Sequence, residues 1–305
     1  MTQKLQVSLK IILSLILLGY IFFTVDIKSV IQILSSVNLN YFFIAILFVI
    51  LNYIFSSLRW LYLILENNKP SFFYLLKLYF VGAFFNNFLP TSIGGDAYKI
   101  YKLGEMISSK TNAFTATFLE RFIGMFALVI ISLYGYLSFS GVEIYSFLFV
   151  FILGLVSFFL FLLFYPKFQL RPQKLIKFFE ILDKVHTSFM RYRNNKKIIF
   201  YSFLSSLIIQ FSSIFSQYFV FKSLEIEIPL NFAFFSFPLI FLSGYAIPSV
   251  NSLGSQEVLY SSFFSSLGIA SATIISASFL YHLVRLFVSL IGAYFYVNDK
   301  EYIKK

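Results

Sequence analysis

The chain contains no cysteine, only two histidines and few charged residues, and each scarcity excludes a class of protein. Without cysteine there are no disulfides, no thiolate metal ligands and no cysteine nucleophiles. His186 and His282 alone are too few to form a zinc site. Charged residues make up 12% of the 305 residues, whereas a soluble domain has about 25%. We therefore expect neither a water-soluble globular domain nor a metal or other cofactor.

Hydrophobic residues make up 59% of the chain, and 24 basic against 13 acidic residues give a net charge of +11. Such a basic excess has two common meanings, which are nucleic-acid binding and the enrichment of positive charge in cytoplasmic loops of membrane proteins. Here the basic residues lie mostly between apolar stretches, and no segment able to fold as a soluble domain carries a basic patch. We therefore predict membrane insertion and no nucleic-acid binding.

Six windows of about 20 mostly apolar residues are long enough to cross a bilayer. They cover residues 7–25, 41–65, 113–138, 145–165, 198–221 and 271–297. The first window has a longer apolar core than a signal peptide, and no cleavage pattern of small residues follows it. We predict an all-α integral membrane protein in which about six helices, including the first, cross the membrane.

Two further apolar segments, residues 72–103 and 230–267, are each interrupted by a polar break that contains proline. Non-helical backbone at membrane depth is tolerated only inside protein or along a cavity, because its polar groups cannot be left facing lipid. We expect each segment to form a re-entrant helical hairpin whose break forms part of a site. The alternative is that both segments cross the membrane, which gives eight full spans.

The loop at residues 166–197 contains nine basic and two acidic residues and is therefore predicted to be cytoplasmic. With six spans and two hairpins, the amino and carboxyl termini also lie in the cytoplasm. Eight spans would place Lys4 and Lys10 on the outside, against the charge rule. We predict a multi-pass protein of the cytoplasmic (inner) membrane that forms one polytopic domain over residues 1–305.

Polar residues recur at matched spacings in the two halves of the chain. Asn52 precedes Pro90 by 38 residues, and Gln210 precedes Pro248 by the same distance. Each half would contain two spans, a hairpin and a third span, so the two halves would have opposite orientations. We predict two inverted repeats, at about residues 7–138 and 145–297, which is the architecture of many secondary transporters. The alternative is chance self-similarity in a chain rich in Phe, Leu and Ser.

Charged residues inside membrane spans are costly and usually face a cavity or a partner. The chain has five of them: Arg59, Glu120, Arg121, Glu257 and Arg285. The arginine fork holds phosphate with paired hydrogen bonds, so three such arginines indicate a site for an anionic lipid headgroup. The alternative is structural, with Arg121 paired to Glu257 or Asp96 to hold the helices together. Because adjacent helical residues point about 100° apart, Glu120 and Arg121 should have different partners.

The break in the first hairpin is the most specific stretch of the sequence and contains Asn87, Pro90, Gly94, Gly95 and Asp96. Pro90 ends a helix, the glycines permit unusual backbone conformations, and Asp96 can cap the helix that follows. The free N–H groups at the start of that helix would then bind an anion. The alternative is an ordinary solvated turn.

His282 and Arg285 are three residues apart and should share one helix face. A histidine within a span is more often a hydrogen-bonded packing residue than a proton relay, and the relay is the minor alternative here. We treat both residues as supporting candidates, together with Arg59, Glu120 and Gly254.

Three stretches resemble a known family: FFNNFLPTSIGGDAYKIYKLGE, LERFIG and IPSVNSLGSQE. They are similar to the lysylphosphatidylglycerol synthase transmembrane-region family, the flippase-like domain proteins, and the likeness covers essentially the whole chain. In the third stretch the family usually has glycine where Ser252 stands and arginine where Gln256 stands. The resemblance implies an integral membrane protein that handles polar lipids. It implies a headgroup-binding role for these residues: Asn87, Pro90, Gly94, Gly95, Asp96, Arg121 and Glu257.

The leading interpretation is a lipid flippase that moves an anionic phospholipid or a polyprenyl-phosphate-linked lipid across the membrane. Synthase activity is not expected, because family members that synthesise the aminoacyl lipid carry a soluble catalytic domain that this sequence lacks. A membrane-embedded glycosyl or acyl transferase is the enzymatic alternative, with Asp96, Glu120 and Glu257 as acid–base groups. The third possibility is an accessory subunit that hands lipid to a membrane synthase.

Overall fold

The structure of this protein is a computed structural model. It describes residues 27–66, 69–88, 94–138, 195–246 and 252–298, and residues 180, 183, 186, 187 and 190–192. These residues form helices and no strand. The helices are α1 Ile27–Ser35, α2 Leu39–Leu63, α3 Phe72–Phe88, α4 Gly94–Met106, α5 Lys110–Ser138, α6 Lys196–Ser223, α7 Leu230–Ala246, α8 Ser255–Phe264 and α9 Ser271–Asn298.

Helices α2, α5, α6 and α9 are 25 to 29 residues long and apolar enough to cross a membrane. At 1.5 Å per residue, 25 residues extend about 38 Å, which exceeds the bilayer's hydrocarbon core of about 30 Å. These helices coincide with four predicted spans, at residues 41–65, 113–138, 198–221 and 271–297. The other two predicted spans, residues 7–25 and 145–165, lie outside the described residues. The chain is thus a multi-pass helical membrane protein, and the total of six spans stays a prediction.

Both segments predicted to be broken consist of two short helices each. Helix α3 has 17 residues and α4 has 13, and α7 has 17 residues and α8 has 10. At 1.5 Å per residue, each helix is shorter than the hydrocarbon core of about 30 Å. Residues 89–93 and 247–251, which lie between the two helices of each segment, are outside the described residues. Re-entry of each segment from one side of the membrane therefore stays a prediction.

Helices α2 and α6 pack side by side and run antiparallel. Ser216 donates to the Ala45 carbonyl (3.0 Å), Asn52 to the Ile209 carbonyl (3.1 Å), and Arg59 to the Ser206 hydroxyl (2.8 Å). Residue numbers thus rise along α2 as they fall along α6. Polar bonds of this kind join membrane helices because lipid supplies no hydrophobic driving force between them.

Glycines bring other helices into backbone contact. A Cβ atom at Gly292 of α9 would collide with the Phe80 carbonyl of α3, and one at Gly135 of α5 would collide with the Phe235 amide of α7. The first helix of each broken segment therefore packs against a long helix of the other half of the chain. Small residues allow this close approach in membrane proteins.

A third close approach folds α4 back on α3. A Cβ atom at Gly95 would collide with the carbonyl of Gly82 and lie 2.8 Å from the Asn86 side-chain oxygen. The two short helices of the first segment therefore touch through glycine at both positions. This contact fixes the position of Asp96, the residue that follows Gly95.

The substitution Gly95→Ala tests this contact. We expect it to destabilise the protein by about 1–3 kcal/mol, because the added methyl group meets backbone that cannot turn away. The measurement is the melting temperature of the detergent-purified protein. Ala97→Leu is the control, since it adds more volume to the same helix at an exposed position. Equal melting temperatures for Gly95→Ala and Ala97→Leu would contradict the proposed backbone contact.

Candidate functional site

A cavity of about 740 Å³ opens among the helices and is lined by residues from every described helix except α1. Its charged lining residues are Arg59, Lys99, Arg121, Arg285, Asp96 and Glu120. Among the described residues, four cationic side chains thus face two acidic ones. A ligand in this cavity meets an excess of two positive charges, and all three arginines predicted from the sequence are present.

Asp96 carries the charge pairs on one side of the cavity. Its Oδ2 atom accepts from Arg121 Nε at 2.6 Å and also contacts an Arg121 terminal nitrogen. Its Oδ1 atom lies 3.2 Å from Lys99 Nζ. The Asp96 side chain is 10% exposed, whereas that of Arg121 is 38% exposed. Arg121 therefore pairs with Asp96 and not with Glu257, and its guanidinium keeps access to the cavity.

Glu120 is the centre of a second, more deeply buried pair. Its Oε1 atom accepts from Arg59 at 3.0 Å and from the Tyr79 hydroxyl, while Arg59 also donates to Ser206. Both side chains of the ion pair are about 5% exposed. Glu120 and Arg121 thus have different partners, as predicted from their spacing. Within the described part of the chain, Glu120 Oε2 has no hydrogen-bond partner.

Lys99 is a cavity residue that the sequence does not identify as a site residue. Lys99 is buried in the cavity wall, with its ammonium 3.8 Å from the centre of the Tyr79 ring and 5.2 Å from that of Trp60. Two aromatic faces and the Asp96 carboxylate compensate for the lost hydration. The spacing of Asp96 and Lys99, three residues apart on a helix, was the available signal.

Apart from Asp96, one of the residues predicted to form a site at the first break lines the cavity, and two lie at the start of α4. Asn87 lines the cavity and also donates to the Arg285 carbonyl of α9 at 3.4 Å. Gly94 begins α4, and the Gly95 amide donates to the Asn86 side chain at 2.8 Å. Pro90 lies outside the described residues.

The predicted capping role of Asp96 is wrong. Asp96 lies inside the first turn of α4, where its carboxylate binds Arg121 and Lys99. The Asn86 side chain satisfies the Gly95 amide instead. Two cations are a stronger attraction for a carboxylate than one backbone N–H group.

Glu257 lies in the first turn of α8, after the second break, and is fully buried. Glu257 Oε2 accepts from the Gly254 amide at 2.7 Å, which closes the start of α8. Its Oε1 atom accepts from Ser278 at 3.0 Å and lies 3.0 Å from His282 Nε2. The neighbours of Glu257, Ser255 and Gln256, line the cavity, whereas Glu257 itself contacts protein groups. Its predicted headgroup role stays a prediction.

His282 and Arg285 share a helix face, as predicted. Arg285 Nη2 lies 2.9 Å from His282 Nδ1, and the guanidinium lies 5.3 Å from the Tyr281 ring centre. Arg285 also lines the cavity. The buried Glu257 carboxylate is therefore connected through one imidazole ring to a cavity arginine.

Side-chain amides are a further group of lining residues, and the sequence identifies only Asn87 among them as a site residue. They belong to Asn52, Asn86, Asn87, Gln210, Gln217 and Gln256. The sequence indicates Asn52 and Gln210 as markers of a repeat, and it predicts that Asn87 binds the headgroup. Amides donate and accept hydrogen bonds, so the cavity can bind hydroxyl groups as well as an anion.

Comparison with known proteins identifies one family. The family described as "Lysylphosphatidylglycerol synthase TM region" matches residues 7–292. A search of the curated proteins finds no match. The family match covers the whole cavity, since every lining residue falls between residues 49 and 285.

The Arg59–Glu120 pair should be structural. Arg59→Met or Glu120→Gln alone leaves one buried charge without its partner, and we expect a loss of about 3–5 kcal/mol of stability from each. The double variant removes both charges, and its loss of stability should be smaller than the sum of the losses in the two single variants. Melting temperatures in detergent measure this coupling, and additive losses would contradict it. Arg191→Met is the control, because Arg191 pairs with Glu66 at the surface and should contribute less than about 1 kcal/mol.

Ser252 stands where the family usually has glycine, and its φ of 64° lies in the left-handed region. We expect Ser252→Gly to stabilise the protein by about 1 kcal/mol, because glycine adopts this conformation without steric strain. Ser262→Gly is the matched control in the right-handed backbone of α8, where glycine should lower stability. The melting temperatures should therefore move in opposite directions. A decrease in both variants would show that Ser252 is not strained.

Proposed function

Because the chain belongs to the lysylphosphatidylglycerol synthase TM-region family, we propose that it is a lipid translocase that holds an anionic headgroup in the central cavity. The lipid is an anionic phospholipid or a polyprenyl-phosphate-linked lipid. The family match supports a role with membrane lipids, and the translocation activity and the headgroup are our proposal.

The observation that carries the proposal is the cationic cavity inside an apolar helical protein. In the described part of the chain, three arginines and one lysine line it against two carboxylates. Charges at membrane depth are retained at a cost of several kcal/mol only where they have a role. A lipid phosphate offers the negative charge that this cavity lacks, while the acyl chains remain among the lipids.

Arg121 is the proposed primary contact of the phosphate. Asp96 binds the Arg121 Nε atom and one terminal nitrogen, and so orients the guanidinium. The guanidinium carries five N–H donors, so an exposed arginine held in this way can still donate to phosphate oxygens. The cavity amides are suited to the hydroxyl groups of a glycerol or sugar headgroup.

Translocation requires a site that opens to each side of the membrane in turn, and we propose that two inverted repeats supply it. The antiparallel packing of α2 on α6 supports this proposal, because the contact centres on Asn52 and Ile209. Asn52 and Gln210 are the residues at matched positions in the two repeats. A two-fold axis between them would exchange the repeats and invert them.

We further propose that the protein lies in the cytoplasmic (inner) membrane with both termini and the basic loop at residues 166–197 in the cytoplasm. This arrangement places the basic loop according to the charge rule. The two broken segments would then re-enter from opposite sides. A membrane synthase that produces the lipid is the proposed protein partner.

A membrane transferase is the second candidate, because Asp96 and Glu120 both line the cavity. Each carboxylate is already bound to a cation, however, so neither is well placed to take a proton from a substrate. We therefore propose that the protein is not an enzyme. Product formed by purified protein from a glycosyl or acyl donor would favour the transferase.

Transport in liposomes tests the translocase. We expect wild-type protein to accelerate the transbilayer movement of acyl-labelled phosphatidylglycerol or of a labelled polyprenyl phosphate. Arg121→Ala should slow this movement roughly tenfold or more, because a charge-assisted hydrogen bond contributes about 1.5–3 kcal/mol. Arg191→Ala is the matched control, since it removes the same charge outside the cavity.

Equal rates with and without protein for both lipids would overturn the proposal. An equal loss of rate in Arg121→Ala and Arg191→Ala would overturn the role of the cavity. Labelled phosphatidylcholine, which has no net charge, serves as the comparison lipid and should move more slowly than phosphatidylglycerol.

A further inference from the structure

We infer that His282 is a proton-binding site coupled to the cavity, so that an anionic lipid headgroup and one proton bind the protein together. The inference rests on the proposed function, because it requires that the cavity binds an anion. It adds a ligand, the proton, and a residue that controls Arg285.

The arrangement of three side chains carries the inference. Glu257 is fully buried on α8, His282 lies next to it on α9, and Arg285 lies on the next turn of α9 and lines the cavity. Glu257 Oε1 is 3.0 Å from His282 Nε2, and Arg285 Nη2 is 2.9 Å from His282 Nδ1. The imidazole therefore lies between the carboxylate and the guanidinium.

This geometry assigns the proton of the ring. Arginine only donates, so Nδ1 must accept from Arg285 and cannot carry a hydrogen. The single ring proton is then on Nε2, which faces Glu257 although it is not aligned for a straight hydrogen bond. In this state His282 is neutral and holds Arg285 by its lone pair.

A proton at Nδ1 would break this contact. Two donors would face each other across 2.9 Å, and two positive charges would be adjacent. Protonated His282 keeps its attraction to Glu257, so Arg285 is the group that must move, and the cavity is the space open to it. Protonation of His282 would therefore move the Arg285 guanidinium into the cavity, where it can bind a ligand.

The coupling works equally in the other direction. A phosphate in the cavity attracts Arg285, which frees Nδ1 to take a proton that Glu257 stabilises. By thermodynamic linkage, the factor by which the bound anion raises the affinity for the proton equals the factor by which the bound proton raises the affinity for the anion. Anion binding should therefore strengthen as the pH falls and weaken as it rises.

The other ionisable groups near these side chains are tyrosine hydroxyls. Tyr281 is on α9, Tyr260 is on α8 and Tyr53 is on α2. Helix α6 contributes the uncharged Gln217, which accepts from Tyr260.

Two packed helices contribute lysines. Lys77 of α3 lies over the ring of Phe295, and the lysine of α1, Lys28, is exposed. Among the described residues, His282 and Glu257 are therefore the groups to consider between pH 5 and 8.

The experiment measures binding of dihexanoyl phosphatidylglycerol to the detergent-purified protein by calorimetry between pH 5 and 8. This lipid is a phosphodiester, so its own charge is constant over that range. We expect the wild-type affinity for this lipid to weaken as the pH rises, by up to about tenfold per pH unit, which is the limit for one coupled proton. His282→Gln should bind with an affinity that no longer depends on pH. His186→Gln, which removes the only other histidine of the chain, should behave as wild type.

Proton uptake by the wild type provides a second measurement that does not depend on a variant. The binding enthalpy in two buffers of different ionisation enthalpy gives the number of protons taken up per lipid, and we expect a value between zero and one. Binding without proton uptake anywhere between pH 5 and 8 would overturn the coupling but leave the anion site intact. The same holds if His282→Gln keeps the wild-type pH dependence. Absence of binding at every pH would overturn both the coupling and the proposed function.

Discussion

The structure depends on neutralising, inside an apolar protein, charges that a bilayer does not solvate. Each buried carboxylate joins two helices while doing so. Glu120 of α5 binds Arg59 of α2, and Asp96 of α4 binds Arg121 of α5. An unpaired charge at this depth costs several kcal/mol, so a helix that shifted along its neighbour would lose its partner at that cost. The pairs therefore fix how the helices lie relative to one another.

Close backbone contacts make these pairs geometrically possible. Gly95 allows α4 to touch α3 at Gly82, and the next residue of α4, Asp96, then reaches Arg121. A larger side chain at this contact would push Asp96 away from both of its cations. The apolar character of the helices places them in the membrane, whereas the small residues and ion pairs determine which surfaces meet.

The sequence predicts the spans well and the site in part. Hydropathy alone locates α2, α5, α6 and α9, because lipid demands long apolar helices. It also identifies all three cavity arginines, because charge in an apolar segment is conspicuous. It does not identify Tyr79 as the partner of Glu120, since that contact joins residues 41 positions apart. Nor does it identify Lys99, because the burial of this lysine depends on the packing of α4 against α3.

The three arginines differ in how firmly each is held, and this difference indicates a division of roles. Arg59 is buried and bound to Glu120 and Ser206, so moving it would break two bonds and leave a carboxylate unpaired. Arg121 is oriented by Asp96 but reaches the cavity, which suits a fixed contact with a ligand. Arg285 contacts the neutral imidazole of His282. A single proton on that ring would change this contact from attractive to repulsive. The proposed translocation, in which the site binds a lipid on one side of the membrane and releases it on the other, needs at least one contact that can be weakened. Arg285 is the arginine whose surroundings provide that property.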